Sequence, residues 1–293
     1  MAETSQPCST FHSFIKLPAE LRNEIWSYAS YAILGDLKPA LYAYKQGCWR
    51  GRWLLPCEQD HHRVDPVNRT LEFYPHLLDK ARAEVSLALV NREAHSFVVK
   101  WAQRSGYRPC IRQGQFFFLR PFLPDRDAVF LCESDWYSLD LDAWGEIHRR
   151  GRSLFVEPGL TRIALPKTLL QRGPLRLGDW TLSLGDWIET YRTVRALYIV
   201  MDVPSDQDLS KEVSTLTHQR FCELENIHNV ASWNADRSSW NRKWTFDFSH
   251  PTWGNKDRQL VEKVCRHIKT LSFFSKIDEF EIFLCSHTIK RKL

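Results

Sequence analysis

The chain has 293 residues, 43% of them hydrophobic and 26% charged, with 12 Gly, 14 Pro and a formal net charge of +5. That balance excludes a collagen-like or disordered polymer and fits one large domain or two small ones. The small basic excess is spread among alternating signs, unlike the clustered Lys and Arg of a dedicated duplex-DNA binder. The longest clean apolar stretches, such as Ala196 to Met201, are far below the roughly 20 residues of a membrane helix. The polar start Met1 to Thr10 carries no apolar h-region, so no secretory leader is expected. The eight cysteines are scattered with no CxxC pair. Together these features predict an intracellular protein, cytoplasmic or nuclear, whose thiols stay reduced.

In chain order, Leu17, Leu21, Ile25 and Ala29 recur every four residues behind Pro18, which predicts a helix over 18–30 with Trp26 beside the stripe. From 37 to 74, short apolar runs between Gly, Pro and charge clusters read as strands and loops. Helical spacing returns at Leu78, Ala81, Val85, Ala88, Leu89, Phe97 and Trp101. It predicts one long helix or two short ones over 77–103, ending before Gly106. Gln115 to Arg120 and Asp127 to Cys132 bracket a proline-containing loop and read as a strand pair. Helices are expected near 139–150, 184–192, 209–226 and 256–274, and strands near 161–165, 195–201, 243–248 and 279–285. Such alternation predicts an α+β protein in which N-terminal helices lead into a mixed, partly parallel sheet.

The block Leu17-Pro18-Ala19-Glu20-Leu21-Arg22-Asn23-Glu24-Ile25-Trp26, preceded by Phe11 and Phe14, resembles the fungal double-EXR family, named for two Glu-x-Arg motifs. Its opening Leu-Pro-x-Glu also resembles an F-box. Leu89 to His95 looks like the second block, and Arg126-Asp127 followed by Ala128 to Leu131 like the third. The likeness covers about residues 11–135. It implies an F-box-like portion over 11–150 with an α/β portion over 151–293 packed on it, but the family's own function is undefined. The second motif reads Glu93-Ala94-His95, so a histidine whose charge is not fixed at neutral pH replaces the arginine.

Residues two apart on a helix do not face each other, so Glu20 and Arg22 need separate surroundings. Arg22 is expected to reach Glu93 across the two helices as a guanidinium–carboxylate pair, the other reading being that both Glu20 and Arg22 are solvated. Leu17, Pro18, Leu21, Ile25 and Trp26 either pack within the domain or receive a protein partner. The F-box likeness implies a ubiquitin-ligase adaptor as that partner. No P-loop, GxSxG, HExxH or GxGxxG motif is present, and no catalytic residue, cofactor or metal site is assigned. Cys48, Cys57, His61 and His62 lie close in sequence, but their spacing matches no usual zinc knuckle and they read as a polar loop. Trp233, Trp240, Trp244 and Trp253, interleaved with Arg and Lys, are candidates for stacking a ligand; large aromatics are more often core or interface residues. The sequence therefore favours a non-enzymatic interaction module. An enzyme, or a small-ligand or nucleic-acid binder, using a tryptophan-rich C-terminal cleft is the alternative.

Overall fold

The computed structural model describes residues 14–35, 38–53, 69–83, 85–112, 114–132, 135, 138, 142, 155–156, 159–171, 175–177, 180–182, 193–201, 222–234, 243–250, 253–269 and 279–289. The protein is α+β, with helices and a mixed sheet. It forms two compact units that interleave in sequence, Met1–Leu37 with Ala83–Arg120, and Lys38–Arg82 with Pro121–Leu293. The sequence reading had divided the chain once, at residue 150. Among the described residues no helix is long and apolar enough to cross a membrane.

The first unit holds helix α1 (Ala19–Gly35), helix α2 (Arg92–Arg104) and the antiparallel hairpin of β5 (Arg108–Arg112) and β6 (Gln115–Arg120). Asn91 starts α2 by accepting the Ala94 N–H at 2.8 Å, which satisfies one of the donors a helix start leaves free. At the other end Gly106, at φ 78°, lets the chain turn left-handed. Tyr107 N–H then donates to the Ala102 carbonyl and Gly106 N–H to that of Gln103, the paired bonds of a Schellman stop. Ala94, Val98 and Ala102, four apart, bury one face of α2 against Trp26, Val85, Leu87 and Phe118.

In the second unit seven strands pair in the order β1-β7-β9-β12-β15-β13-β14. They are β1 (Ala40–Ala43), β7 (Ala128–Phe130), β9 (Arg162–Pro166), β12 (Ala196–Val200), β15 (Glu279–Ile289), β13 (Cys222–Asn234) and β14 (Lys243–Phe246). β1 through β15 run parallel to their neighbours, whereas β13 is antiparallel to both β15 and β1. The pairs Ala40↔Glu223 and Leu41↔Cys222 close six of the strands into a ring, with β14 added outside it on β13. Between β9 and β12 the chain forms the short helix α3 (Lys167–Gln171) and the antiparallel pair β10 (Leu175–Leu177) and β11 (Trp180–Leu182). One face carries Leu165, Ile199 and Ile282, and its cluster includes Leu260, Val261, Val264, Cys265 and Ile268 of helix α4 (Asn255–Lys269). The opposite face carries Ala128, Ala164 and Ala196 together with Tyr198, Val200, Leu224 and Cys285. A smaller sheet of β2 (Trp49–Trp53), β3 (Arg69–Phe73) and β8 (Phe155–Val156) adds Trp49, Leu71 and Phe73 to the larger core. Gly159 touches it closely: a Cβ there would lie 2.8 Å from Phe73 Cβ.

Three expectations are corrected. The helix over 77–103 is four short elements: 3-10 turns Pro75–Leu77 and Ser86–Leu89, strand β4 (Ala81–Ala83), and α2. Val85 (ψ 101°) and Asn91 (ψ 175°) are extended and break any continuous helix. The periodic stripe is nevertheless mostly buried, divided between two cores: Leu78 and Ala81 join one, Val85 and Ala88 the other, and Leu89 is exposed. Second, β6 and β7 do not pair with each other; β6 pairs with β5, and β7 lies between β1 and β9. Third, residues 222–226, expected at the end of a helix, begin β13. The expected helices at 139–150, apart from Asp142, at 184–192 and over 209–221 lie outside the described residues.

Candidate functional site

On α1, Arg22 and Trp26 are one turn apart and point inward together. Arg22 Nε donates to both carboxylate oxygens of Glu93 at 3.2 Å, and the Trp26 indole N–H donates to Glu93 Oε2 at 3.2 Å. Arg22 Nη1 reaches the Leu17 carbonyl at 2.6 Å and that of Ile15 at 3.3 Å. The guanidinium therefore ties the entry of α1 to the first turn of α2. The Arg22 and Trp26 donors hold the Glu93 carboxyl below its ordinary range. The expected Arg22–Glu93 pair is thus formed, and Trp26 completes it, packed edge-on to Phe14. His95 does not take the arginine's place in an ion pair. Its Nδ1 lies 3.0 Å from the Ala88 carbonyl, so that nitrogen carries the proton, and its ring packs on Phe116.

The opposite side of α1 is open. At about 100° per residue, Leu21, Ile25 and Tyr28 form one ridge, facing away from Arg22 and Trp26. Their exposures are 47%, 43% and 71%, against 8% for Trp26. Pro18 is exposed as well, and Leu17 is half-buried. The candidate partner residues therefore separate: Trp26 belongs to the core, whereas Leu21, Ile25 and Pro18 are presented to solvent. Of the ten large hydrophobic side chains exposed among the described residues, eight belong to the first unit. Scattered exposed apolar residues are ordinary; here three of them share one helix face.

The chain matches no family model, no curated protein and no solved structure. Its own geometry carries the functional argument.

The sequence candidates did not include Tyr28 and Tyr31, exposed at 71% and 74%. The signal was present, since Tyr28 lies three residues past Ile25 and seven past Leu21. Nor did they include Glu24, which with Glu20 forms an exposed acidic row beside the ridge. Those two acids and Arg22 are the ionic side chains of α1.

In the third motif block Asp127 is fully buried. Its Oδ1 accepts the Ala40 N–H at 2.9 Å and its Oδ2 the Leu123 N–H at 2.9 Å. It clamps the start of β1 to the turn that leads into β7, while Arg126 beside it is half-buried. In the tryptophan-rich half, Trp233 is buried and faces Trp244 across the β13–β14 ladder, ring centroids 5.7 Å apart. Trp244 and Trp253 are half-buried against the same core. Trp233 is thus a packing residue, Trp244 and Trp253 keep part of their surface exposed, and Trp240 lies outside the described residues. His228 and His250 stack at 3.9 Å with Trp253 at the edge of His228. Of the cysteine–histidine group, Cys48 is buried, its thiol pushed up to about 11 by burial; Cys57, His61 and His62 lie outside the described residues. Among the described residues no three His, Cys, Asp or Glu side chains are grouped to hold a metal ion.

Proposed function

We propose that this chain is a non-catalytic protein-interaction module of the adaptor type, docking a protein partner on the open face of α1. The ridge of Leu21, Ile25 and Tyr28 carries the reading, because it leaves apolar area in water on a helix whose other face is anchored through Arg22, Trp26 and Glu93. Rigid presentation matters, since a pre-ordered helix loses little further freedom when a partner docks. The likeness to double-EXR and F-box sequences supports the same reading and makes a ubiquitin-ligase adaptor the first partner to seek. The proposal places the protein inside the cell, in keeping with Cys48, Cys110, Cys265 and Cys285, which are free thiols.

The test is affinity isolation of the full chain from its own cells, comparing wild type with Leu21→Asp/Ile25→Asp after circular dichroism has shown the variant folded. The proposal expects a stoichiometric partner that is lost in the variant. A partner retained by the folded variant moves the docking surface elsewhere, and no partner at all removes the adaptor reading.

A further inference from the structure

The proposed docking face has a charge pattern as well as an apolar ridge. Leu21, Ile25 and Tyr28 run along α1 at one-turn intervals, and Glu20 and Glu24 run parallel to them one position earlier. Neither glutamate makes an ion pair among the described residues, and the helix's one cation, Arg22, is already held by Glu93 on the other side. Along α1 itself the apolar ridge therefore has acids alone beside it.

Resting on the docking reading above, we propose that the occupant is a basic amphipathic helix of a partner protein, about three turns long, with Lys or Arg flanking its apolar stripe. Residues 18–28 span about 15 Å of helix axis at 1.5 Å per residue, which sets that length. A straight ridge of side chains one turn apart is best met by the grooves of another helix. Charges flanking an apolar seam select the partner, opposite signs attracting and like signs excluding. An anionic bilayer or a nucleic acid would meet Glu20 and Glu24 with like charge, so both are disfavoured as occupants.

The experiment uses two labelled synthetic helical peptides with the same leucine stripe, one with lysines in the adjoining row and its twin with glutamates. Fluorescence anisotropy measures both on the full chain, on Glu20→Lys/Glu24→Lys and on Leu21→Asp/Ile25→Asp. Two exposed pairs turning from attraction to repulsion predict about a tenfold preference for the lysine peptide, weakened by salt. The preference should reverse in the Glu20→Lys/Glu24→Lys chain. Equal binding of the twins overturns the basic-helix proposal; if both are then lost in Leu21→Asp/Ile25→Asp, the docking face itself survives. Binding of neither peptide, or binding unaffected by the Leu21 and Ile25 changes, overturns both.

Discussion

Asp127 gives the sharpest test of how the third motif block works. Its carboxylate is fully buried and holds two backbone donors, Ala40 N–H and Leu123 N–H, each at 2.9 Å. Replacement by alanine strands both, and a buried donor left without an acceptor costs about 1–3 kcal/mol. The expected loss for Asp127→Ala is therefore about 2–6 kcal/mol. For a unit of this size it corresponds to a fall in Tm of roughly 4–24 °C. Asp127→Asn keeps one acceptor but aims an amide N–H₂ at the other backbone N–H, so it should recover only part of the loss. The exposed neighbour Asp125, changed to Ala, is the control and should stay within about 0.5 kcal/mol. Thermal and urea unfolding give the global value, and hydrogen exchange at the Ala40 and Leu123 amides reports the clamp locally. If Asp127→Ala costs less than about 1 kcal/mol and leaves exchange at both amides unchanged, the carboxylate is not the clamp described.

Three other outcomes are expected. The Glu93 carboxyl is held below its ordinary range first by Arg22 and then by the Trp26 N–H, so its contribution is complete above the unfolded-state value and is lost as pH falls through the lower folded-state value. Urea midpoints between roughly pH 5 and pH 2 should therefore fall less steeply in Glu93→Gln than in wild type, and equal slopes would refute the pairing. Burial pushes the thiols of Cys48 and Cys265 up to about 11 and about 12 and that of Cys285 higher still. Alkylation near pH 8 followed by peptide mapping should leave these three protected and label the half-buried Cys110 ahead of them. Gly159→Ala should cost about 1–3 kcal/mol, because its new Cβ would lie 2.8 Å from Phe73 Cβ and 3.1 Å from the Phe73 carbonyl; an unchanged urea midpoint would show that the contact yields freely.

Periodicity revealed which residues are buried more reliably than which element buries them. Leu78, Ala81, Val85 and Ala88 are all buried as their spacing suggests, but Ala81 is on β4, Ala88 is in a 3-10 turn, and Leu78 and Val85 flank 3-10 turns, because a period near 3.5 also arises when strand and turn follow each other. β13 was illegible for a different reason. Register shifts between Glu225 and His228 and between Asn229 and Ala231, with Asn226 at φ 47°, break the alternation that marks a strand. The ordinary strands β9, β12 and β14 and the strongly amphipathic α4 were readable, since nothing interrupts their pattern. On α1 the four-residue stripe was legible and its direction was not. A helix with Leu21, Ile25 and Tyr28 on one face, Trp26 on another and Ala29 between them offers two apolar faces, and the tertiary partner of Arg22 decides which turns inward.

That partner is the reason the motif residues and the proposed binding residues are different sets. Glu20 and Arg22 are about 200° apart around the helix, so one motif position points inward and the other outward. Arg22, Trp26, Glu93 and His95 are occupied in holding α1, α2 and β6 together, and Asp127 in holding β1 to the turn before β7. Changing any of them is felt first as lost stability. The residues between them, Glu20, Leu21, Glu24, Ile25 and Tyr28, are exposed, and their replacement leaves these anchoring contacts intact. A scaffold arranged this way keeps its fold while the outward positions of α1 vary, so under the proposed docking the choice of partner would be carried by side chains that the fold does not need.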